Sequence, residues 1–170
     1  MKVTDFRQDL LPLKDILFRL ALRITTDTAE AEDVTEETLV RVWNRRHELA
    51  EVRSIEAYCL TICRNLALDR TAKREAQNIS LEEQPIDPAD TGSAADERMM
   101  HAERLRWVHV LFNRLPEKQR SVLQLRDIEG KSYRETADIL GITEDQVKVT
   151  LFRARQAIRK QYEKIDNYGL

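Results

Sequence analysis

Apolar residues recur at intervals of three and four along nearly the whole chain, which is the spacing of one face of an α-helix. The first such stripe joins Leu10, Leu13, Leu17, Leu20 and Ile24. No segment alternates apolar and polar residues for long enough to indicate a β-strand. The 4 glycines and 4 prolines are also too few for a fold with many tight turns. The pattern therefore predicts an all-α fold.

One segment interrupts this helical pattern. Residues 77–97 carry six acidic and no basic side chains, include two prolines, and have no apolar period. Unstructured loops of this length are uncommon inside compact domains, so we interpret the segment as a flexible acidic linker. One long surface loop within a single domain is the alternative. The linker interpretation divides the chain into two small helical domains, residues 1–76 and residues 98–170.

The formal net charge of −2 conceals an uneven distribution. Residues 1–76 carry 13 basic and 14 acidic side chains, a net charge of −1. Residues 98–170 carry 15 basic and 10 acidic side chains, a net charge of +5. A basic block of this kind indicates a polyanionic partner such as a nucleic acid.

No cysteine or histidine pattern indicates catalysis or metal binding. Cys59 and Cys63 share a helix face without further ligands in register, so we expect them in the core. His47, His101 and His109 are scattered and form no triad with Ser or Cys. We therefore expect no enzymatic activity, no cofactor, no metal and no small-molecule substrate.

Two observations bear on location. No apolar run approaches the roughly 20 residues that span a bilayer, so membrane insertion is not expected. The amino-terminal residues lack the apolar region of a signal peptide. We therefore expect a cytoplasmic protein.

Residue pairs at capping-box spacing mark three helix starts. These pairs are Asp27 and Glu30, Ser132 and Glu135, and Thr143 and Gln146. A further helix after the linker is predicted from the apolar stripe Leu105, Val108, Leu111, Phe112 and Leu115. That stripe ends at Pro116, which favours a helix boundary.

Residues 133–159 fit a helix-turn-helix. Ala137 is small where the two helices cross, Gly141 permits the sharp turn, and Val147 closes the small core. The opposite face of the last helix presents polar and basic side chains, as a major-groove reader requires. A basic face that is merely solvated is the alternative. We favour DNA binding, because the caps, the spacing and the charge agree.

Motifs in both halves resemble bacterial sigma factors of the sigma-70 family. The carboxy-terminal half resembles region 4 at Leu115-Pro116-Glu117, at Glu129-Gly130-Lys131-Ser132-Tyr133 and at Arg153-Ala154-Arg155. The amino-terminal half resembles region 2 at Ala31-Glu32-Asp33-Val34-Thr35-Glu36-Glu37 and at Arg64-Asn65-Leu66-Ala67-Leu68-Asp69. Two such units, with no region 1.1 or region 3 between or before them, resemble the extracytoplasmic-function (ECF) group.

The resemblance implies a protein that binds core RNA polymerase and directs promoter-specific transcription initiation. The second helix would dock on the clamp helices of the largest core subunit through Asp33, Glu36, Glu37 and Arg41. The third helix would read the −10 element as single strand through Arg64, Asn65, Asp69, Arg70 and Lys73. The helix-turn-helix would read the −35 duplex through Gln146, Lys148, Val149, Arg153 and Arg155. Members of the group commonly have an anti-sigma factor as a further partner.

Several departures and alternatives bear on these assignments. The family often has Gly-Thr at Asp145-Gln146 and Ser-Arg at Val149-Thr150, so its usual promoter sequence does not carry over. Asn65 either reads an extruded base or forms a hydrogen bond that holds residues 47–53. The acidic linker is either a tether or a mimic of RNA phosphates. The competing functions are a free-standing helix-turn-helix regulator and a helical protein that sequesters a partner without binding DNA.

Overall fold

The computed structural model describes residues 3–77 and 97–167, so most of the predicted linker lies outside the described residues. Every regular element in these two ranges is helical, which confirms the all-α prediction. The helices are α1 (Lys14–Thr25), α2 (Thr28–Asn44), α3 (Ile55–Gln77), α4 (Glu97–Arg114), α5 (Glu117–Leu123), α6 (Tyr133–Leu140) and α7 (Glu144–Asn167). Shorter helical turns span Phe6–Leu10, Leu11–Leu13, Arg46–Glu51 and Gln124–Ile128.

Helices α1, α2 and α3 form a three-helix bundle in the amino-terminal half. The predicted stripe of α1 faces its core, where Leu17, Leu20 and Ile24 are buried. The side chain of Asp27 caps α2 by accepting a hydrogen bond from the backbone N–H of Glu30 at 3.0 Å. This cap satisfies one of the amide groups that have no partner within the helix.

Helices α4 to α7 form the carboxy-terminal half, and the predicted caps place its short elements. Ser132 accepts a hydrogen bond from the backbone N–H of Glu135 at 3.0 Å and begins α6. Gly141 ends α6 with φ of 66°, and this left-handed backbone favours glycine. Thr143 and Gln146 form the complete reciprocal capping box of α7, with hydrogen bonds of 3.1 Å and 2.9 Å.

The apolar stripe predicted for α4 is only partly buried. Leu111, Phe112 and Leu115 lie in the core, whereas Leu105 is 50% exposed. Burial is confined to the carboxy-terminal part of α4, and α4 packs against α7. The stripe therefore predicts the helix correctly but not the burial of its earlier turns.

The two halves contact each other. Helices α1 and α3 of the amino-terminal half meet α5, the turn Gln124–Ile128 and α6 of the carboxy-terminal half. The outer face of α7 remains exposed at Lys148, Val149 and Arg153.

Candidate nucleic-acid interface and adjoining acidic face

The helix-turn-helix core holds α7 so that one face is buried and the other is open. Val147, Leu151 and Ala154 lie in the core at intervals of four and three residues. The chain turns into α7 through Gly141, where the backbone N–H of Ile142 donates to the carbonyl of Ala137 at 3.1 Å. The two ends of this turn are therefore fixed by backbone hydrogen bonds, and the exposed face of α7 has a defined orientation.

The five residues predicted to read the −35 duplex lie on α7 and are exposed, but they differ in their partners. The side chain of Arg153 has no hydrogen bond or ion pair with the described residues, and that of Val149 is apolar. Lys148 lies 5.3 Å above the ring of Tyr133. Arg155 donates two hydrogen bonds to Asp127, at 2.5 Å and 3.0 Å. The side-chain oxygen of Gln146 accepts one hydrogen bond in the capping box, and its NH₂ group is free to donate to a base.

Phe152 is a further exposed residue on α7 that the sequence analysis did not select. Its side chain is 62% exposed, and Val149 is 48% exposed one turn earlier. Large apolar side chains on a solvent face are available for thymine methyl groups, which project into the major groove. The sequence indicates this exposure, because Phe152 lies outside the buried stripe of α7 that contains Leu151 and Ala154.

On α3, three of the predicted −10 residues form an exposed row at four-residue spacing: Asn65, Asp69 and Lys73. The side chain of Asn65 makes no hydrogen bond with any described residue, so it does not hold residues 47–53. The carboxamide of Asn65 is therefore available for an external partner, which favours the base-reading interpretation over the structural one.

The two arginines of the −10 set are engaged within the protein. Arg64 forms an ion pair with Glu117 of α5, at 3.4 Å. Arg70 lies between three carboxylates of α2, at 3.2 Å from Glu30, 3.4 Å from Asp33 and 3.1 Å from Glu37. The capping box predicted for α2 is therefore complete only on the Asp27 side, because the Glu30 carboxylate turns to Arg70.

The acidic face of α2 holds the predicted polymerase contacts. Asp33, Glu36 and Arg41 are exposed, and Glu37 is half-buried between Arg70 and Arg41. Its hydrogen bonds with Arg70 and, second, with Arg41 hold the pKa of Glu37 below its ordinary value, because both favour the ionised carboxylate.

Members of the two predicted sets therefore line one groove of about 480 Å³ between α2 and α3, which includes Glu37, Arg41, Asp69, Arg70 and Lys73. The side chains assigned to polymerase and to DNA are neighbours on one surface. Arg70, of the predicted DNA set, donates hydrogen bonds to Asp33 and Glu37 of the predicted polymerase set.

Both cysteines lie in the core, as predicted. Burial raises the pKa of each thiol to about 12, and Cys63 also donates a hydrogen bond to the carbonyl of Leu17. In the described ranges, no group of three or more His, Cys, Asp or Glu residues could hold a metal ion. None of the helices described is long and apolar enough to cross a membrane.

Comparison with known proteins gives matches to both halves. The family model "Sigma-70 region 2" matches residues 12–77, and "Sigma-70, region 4" matches residues 105–158. The RNA polymerase sigma-E factor of Streptomyces avermitilis is 33% identical over 165 residues, which cover 97% of this chain and 89% of the relative. The ECF RNA polymerase sigma factor SigL of Mycobacterium tuberculosis is 33% identical, with 85% of this chain and 81% of the relative covered.

A solved structure is also similar over both halves. It is the sigma factor RpoE of Bartonella quintana, crystallised in complex with the anti-sigma factor NepR. The TM-score is 0.73 at 26% sequence identity, and the match covers 95% of this chain and 98% of that one.

Proposed function

Because the chain belongs to the sigma-70 family of RNA polymerase sigma factors, within its ECF group, we propose that its two halves divide promoter recognition between them. The protein binds core RNA polymerase and directs it to promoters. Residues 1–76 hold the polymerase and read the −10 element, and residues 98–170 read the −35 element. Residues 77–97 connect the two.

The observation that carries this proposal is that each half of the chain has an exposed helix face suited to contact with DNA. In the carboxy-terminal half, α7 offers an exposed face at the end of a helix-turn-helix. Arg153 projects a cation with no partner among the described residues, as a contact with guanine or a phosphate requires. The neighbouring Val149 and Phe152 supply an apolar surface for thymine methyl groups.

In the amino-terminal half, the exposed row on α3 follows the −10 strand. Lys73 approaches a phosphate, and Asn65 reads an extruded base, because its carboxamide carries both a donor and an acceptor. Such a base exposes its Watson–Crick edge only when the duplex is open. The −10 element is therefore read as single strand.

Core polymerase docks on the acidic face of α2 through Asp33, Glu36, Glu37 and Arg41. The exposed carboxylates suit a partner with a basic rim, and charge complementarity at a rim sets the rate and specificity of association more than affinity.

The family consists of regulatory DNA-binding proteins, and this protein has no catalytic activity of its own. It acts in the cytoplasm, where polymerase and promoters are found. An anti-sigma factor is a further partner of this protein, by analogy with the similar RpoE, which was crystallised in complex with the anti-sigma factor NepR.

Run-off transcription with purified core polymerase tests the function. Transcripts that start at defined promoters only when both core polymerase and this chain are present support a sigma factor. Specific duplex binding by the chain alone as a dimer, without stimulation of core polymerase, would instead identify a free-standing regulator. A protein that neither binds DNA nor stimulates transcription would be a sequestering protein.

Asn65→Ala tests the −10 assignment in the same assay. The Asn65 side chain is exposed and makes no hydrogen bond with the described residues, and alanine is the better helix former by about 0.5 kcal/mol. The variant should therefore fold at least as stably as the parent. We expect slower open-complex formation and a relaxed preference at one −10 position when each base is varied in turn. The expected loss of discrimination is about 1–3 kcal/mol.

Asn44→Ala is the matched control, because it removes the same group from an exposed helical position of α2. It should leave base preference unchanged. A uniform loss across all −10 variants for Asn65→Ala would mean that Asn65 reads no base.

A further inference from the structure

Arg23, in the last turn of α1, is a half-buried cation with no carboxylate partner among the described residues. Its guanidinium donates to the side-chain oxygens of Gln124 and Asn113, each at 2.9 Å. Its Nη2 atom lies 3.4 Å from Nδ1 of His109, and its guanidinium carbon lies 3.8 Å from the centre of the Phe112 ring. None of these neighbours carries a negative charge. The guanidinium is therefore hydrogen-bonded, but its charge is not neutralised.

The pKa values of the two arginines of α1 express this difference. Arg19 donates two hydrogen bonds to Glu129, at 2.5 Å and 2.9 Å, and these bonds raise the pKa of Arg19 above its ordinary value. Burial, followed by the nearby charge of Arg120, lowers the pKa of Arg23 to about 10. Both causes disfavour the charged guanidinium. A partly desolvated cation of this kind gains most from a counter-ion.

Arg23 lines a cavity of about 430 Å³. The cavity lies between α1, α4 and the turn Gln124–Ile128, so both halves of the chain contribute to it. Its volume falls in the range of small-molecule sites, roughly 300–1,000 Å³. The lining includes Arg19 and Arg23, the carboxamides of Asn113 and Gln124, and the apolar side chains of Leu22 and Ile128. No acidic residue lines it.

The side chains around the cavity have spare hydrogen-bond donors. Asn113 and Gln124 direct their oxygens to Arg23, and their NH₂ groups have no partner among the described residues. Gln124 is only 1% exposed, so bulk solvent supplies little replacement. Arg23 carries five N–H groups and points three of them at its neighbours, which leaves two. Several unused donors beside an uncompensated cation favour an anionic ligand.

We propose that this cavity binds a small oxyanion, namely a phosphate or carboxylate group carried by a small metabolite. The anionic group pairs with Arg23 and accepts hydrogen bonds from the NH₂ groups of Asn113 and Gln124. Leu22 and Ile128 contact the rest of the ligand, which is therefore partly apolar. Because both halves line the cavity, the bound anion stabilises the folded chain and the contact between its halves. This ligand is additional to DNA and polymerase and takes no part in promoter reading.

Asn113→Asp tests the proposal by supplying the missing carboxylate from the protein itself. The side-chain oxygen of Asn113 already lies 2.9 Å from Arg23, so an aspartate there forms an ion pair without rearrangement. We expect a higher melting temperature than that of the parent, measured by circular dichroism in phosphate-free buffer. The same variant should bind inorganic phosphate about tenfold more weakly, because its carboxylate occupies the place of the ligand.

Asn44→Asp is the matched control. Asn44 is exposed at the end of α2, as Asn113 is near the end of α4. A negative charge near a helix carboxy terminus opposes the helix dipole in both variants. The control should therefore melt at or slightly below the parent temperature and bind phosphate as the parent does. Only Asn113→Asp gains an ion pair that outweighs the dipole.

Isothermal titration calorimetry of the full chain, at constant ionic strength in chloride, compares three probes. Inorganic phosphate and acetate distinguish the two anionic groups, and binding of either supports the oxyanion site. Phenyl phosphate should bind more tightly than inorganic phosphate, because its ring contacts Leu22 and Ile128. Ile128→Ala should weaken phenyl phosphate about threefold and leave inorganic phosphate unchanged.

Three results would overturn the proposal. The first is the absence of binding by all three probes at millimolar concentration. The second is phosphate binding that Asn113→Asp retains and Arg153→Ala removes, because the anion would then lie on α7. The third is a melting temperature of Asn113→Asp no higher than that of Asn44→Asp. None of these measurements uses DNA or polymerase, so their outcome is independent of the proposed function.

Discussion

Replacing Arg70 by methionine should reveal how much one cation stabilises the junction of α2 and α3. The Arg70 guanidinium lies 3.1–3.4 Å from the carboxylates of Glu30, Asp33 and Glu37, and its side chain is 31% exposed. Methionine keeps most of the apolar stem and removes the charge. The variant therefore isolates the ion-pair network from the packing of the side chain.

The expected loss is about 1–2 kcal/mol in the free energy of unfolding at pH 7. A single exposed ion pair contributes about 0.2–1 kcal/mol after solvent screening, and three carboxylates share this cation. The variant also increases the repulsion among those carboxylates, of which only Glu37 keeps a cationic partner among the described residues, Arg41.

The loss should depend on pH in a defined direction. The hydrogen bond from Arg70 lowers the pKa of Glu37 from its ordinary value of 4.5. A lowered carboxyl pKa contributes stability above the unfolded-state value, and that contribution disappears as pH falls through the folded-state value. The difference between the parent and Arg70→Met should therefore be complete at pH 7 and shrink as pH falls below about 4.5.

Urea unfolding followed by circular dichroism at pH 7, 5 and 3 measures these differences. Arg45→Met is the matched control, because Arg45 is exposed and forms no ion pair with the described residues. It should change stability little at any of the three values. An equal loss for Arg70→Met at pH 7 and pH 3, or no loss at pH 7, would refute the electrostatic reasoning.

Three further expectations concern the binding faces and the turn. Asp33→Ala and Glu37→Ala should each weaken competition for core polymerase, while −35 duplex binding stays at the parent level; equal competition would exclude this face of α2 as the docking surface. Arg153→Ala should weaken −35 binding by about 1–3 kcal/mol in a gel-shift titration, and unchanged affinity at low salt would remove it from the contact surface. Gly141→Ala should destabilise the fold by about 1 kcal/mol in urea, because φ of 66° strains a residue with a Cβ.

Local features of the fold could be predicted from the sequence because their causes lie within a few residues. Ser132 and Glu135 are three positions apart, and so are Thr143 and Gln146, so their caps form as soon as the helix does. The buried stripes of α1 and α7 follow from helical periodicity alone. Helix starts of this kind follow from the local sequence and require no tertiary contact.

Contacts between distant residues could not be predicted in the same way. Arg70 and Asp33 are 37 positions apart and belong to two motifs, for which the family resemblance implies different partners. Only the packing of α2 against α3 brings them together. Arg19 and Glu129 meet across the two halves for the same reason, and no sequence signal indicated either pair.

These ion pairs change the relative weight of the predicted −10 contacts. Arg64 and Arg70 must leave Glu117 and the α2 carboxylates before either can bind a phosphate, so the broken pairs subtract from the energy of any DNA contact. Asn65 and Lys73 are exposed without such partners in the described residues. Their contacts with DNA therefore require no ion pair within the protein to be broken. Asn65 and Lys73, rather than the two arginines of α3, should therefore contribute most to −10 recognition.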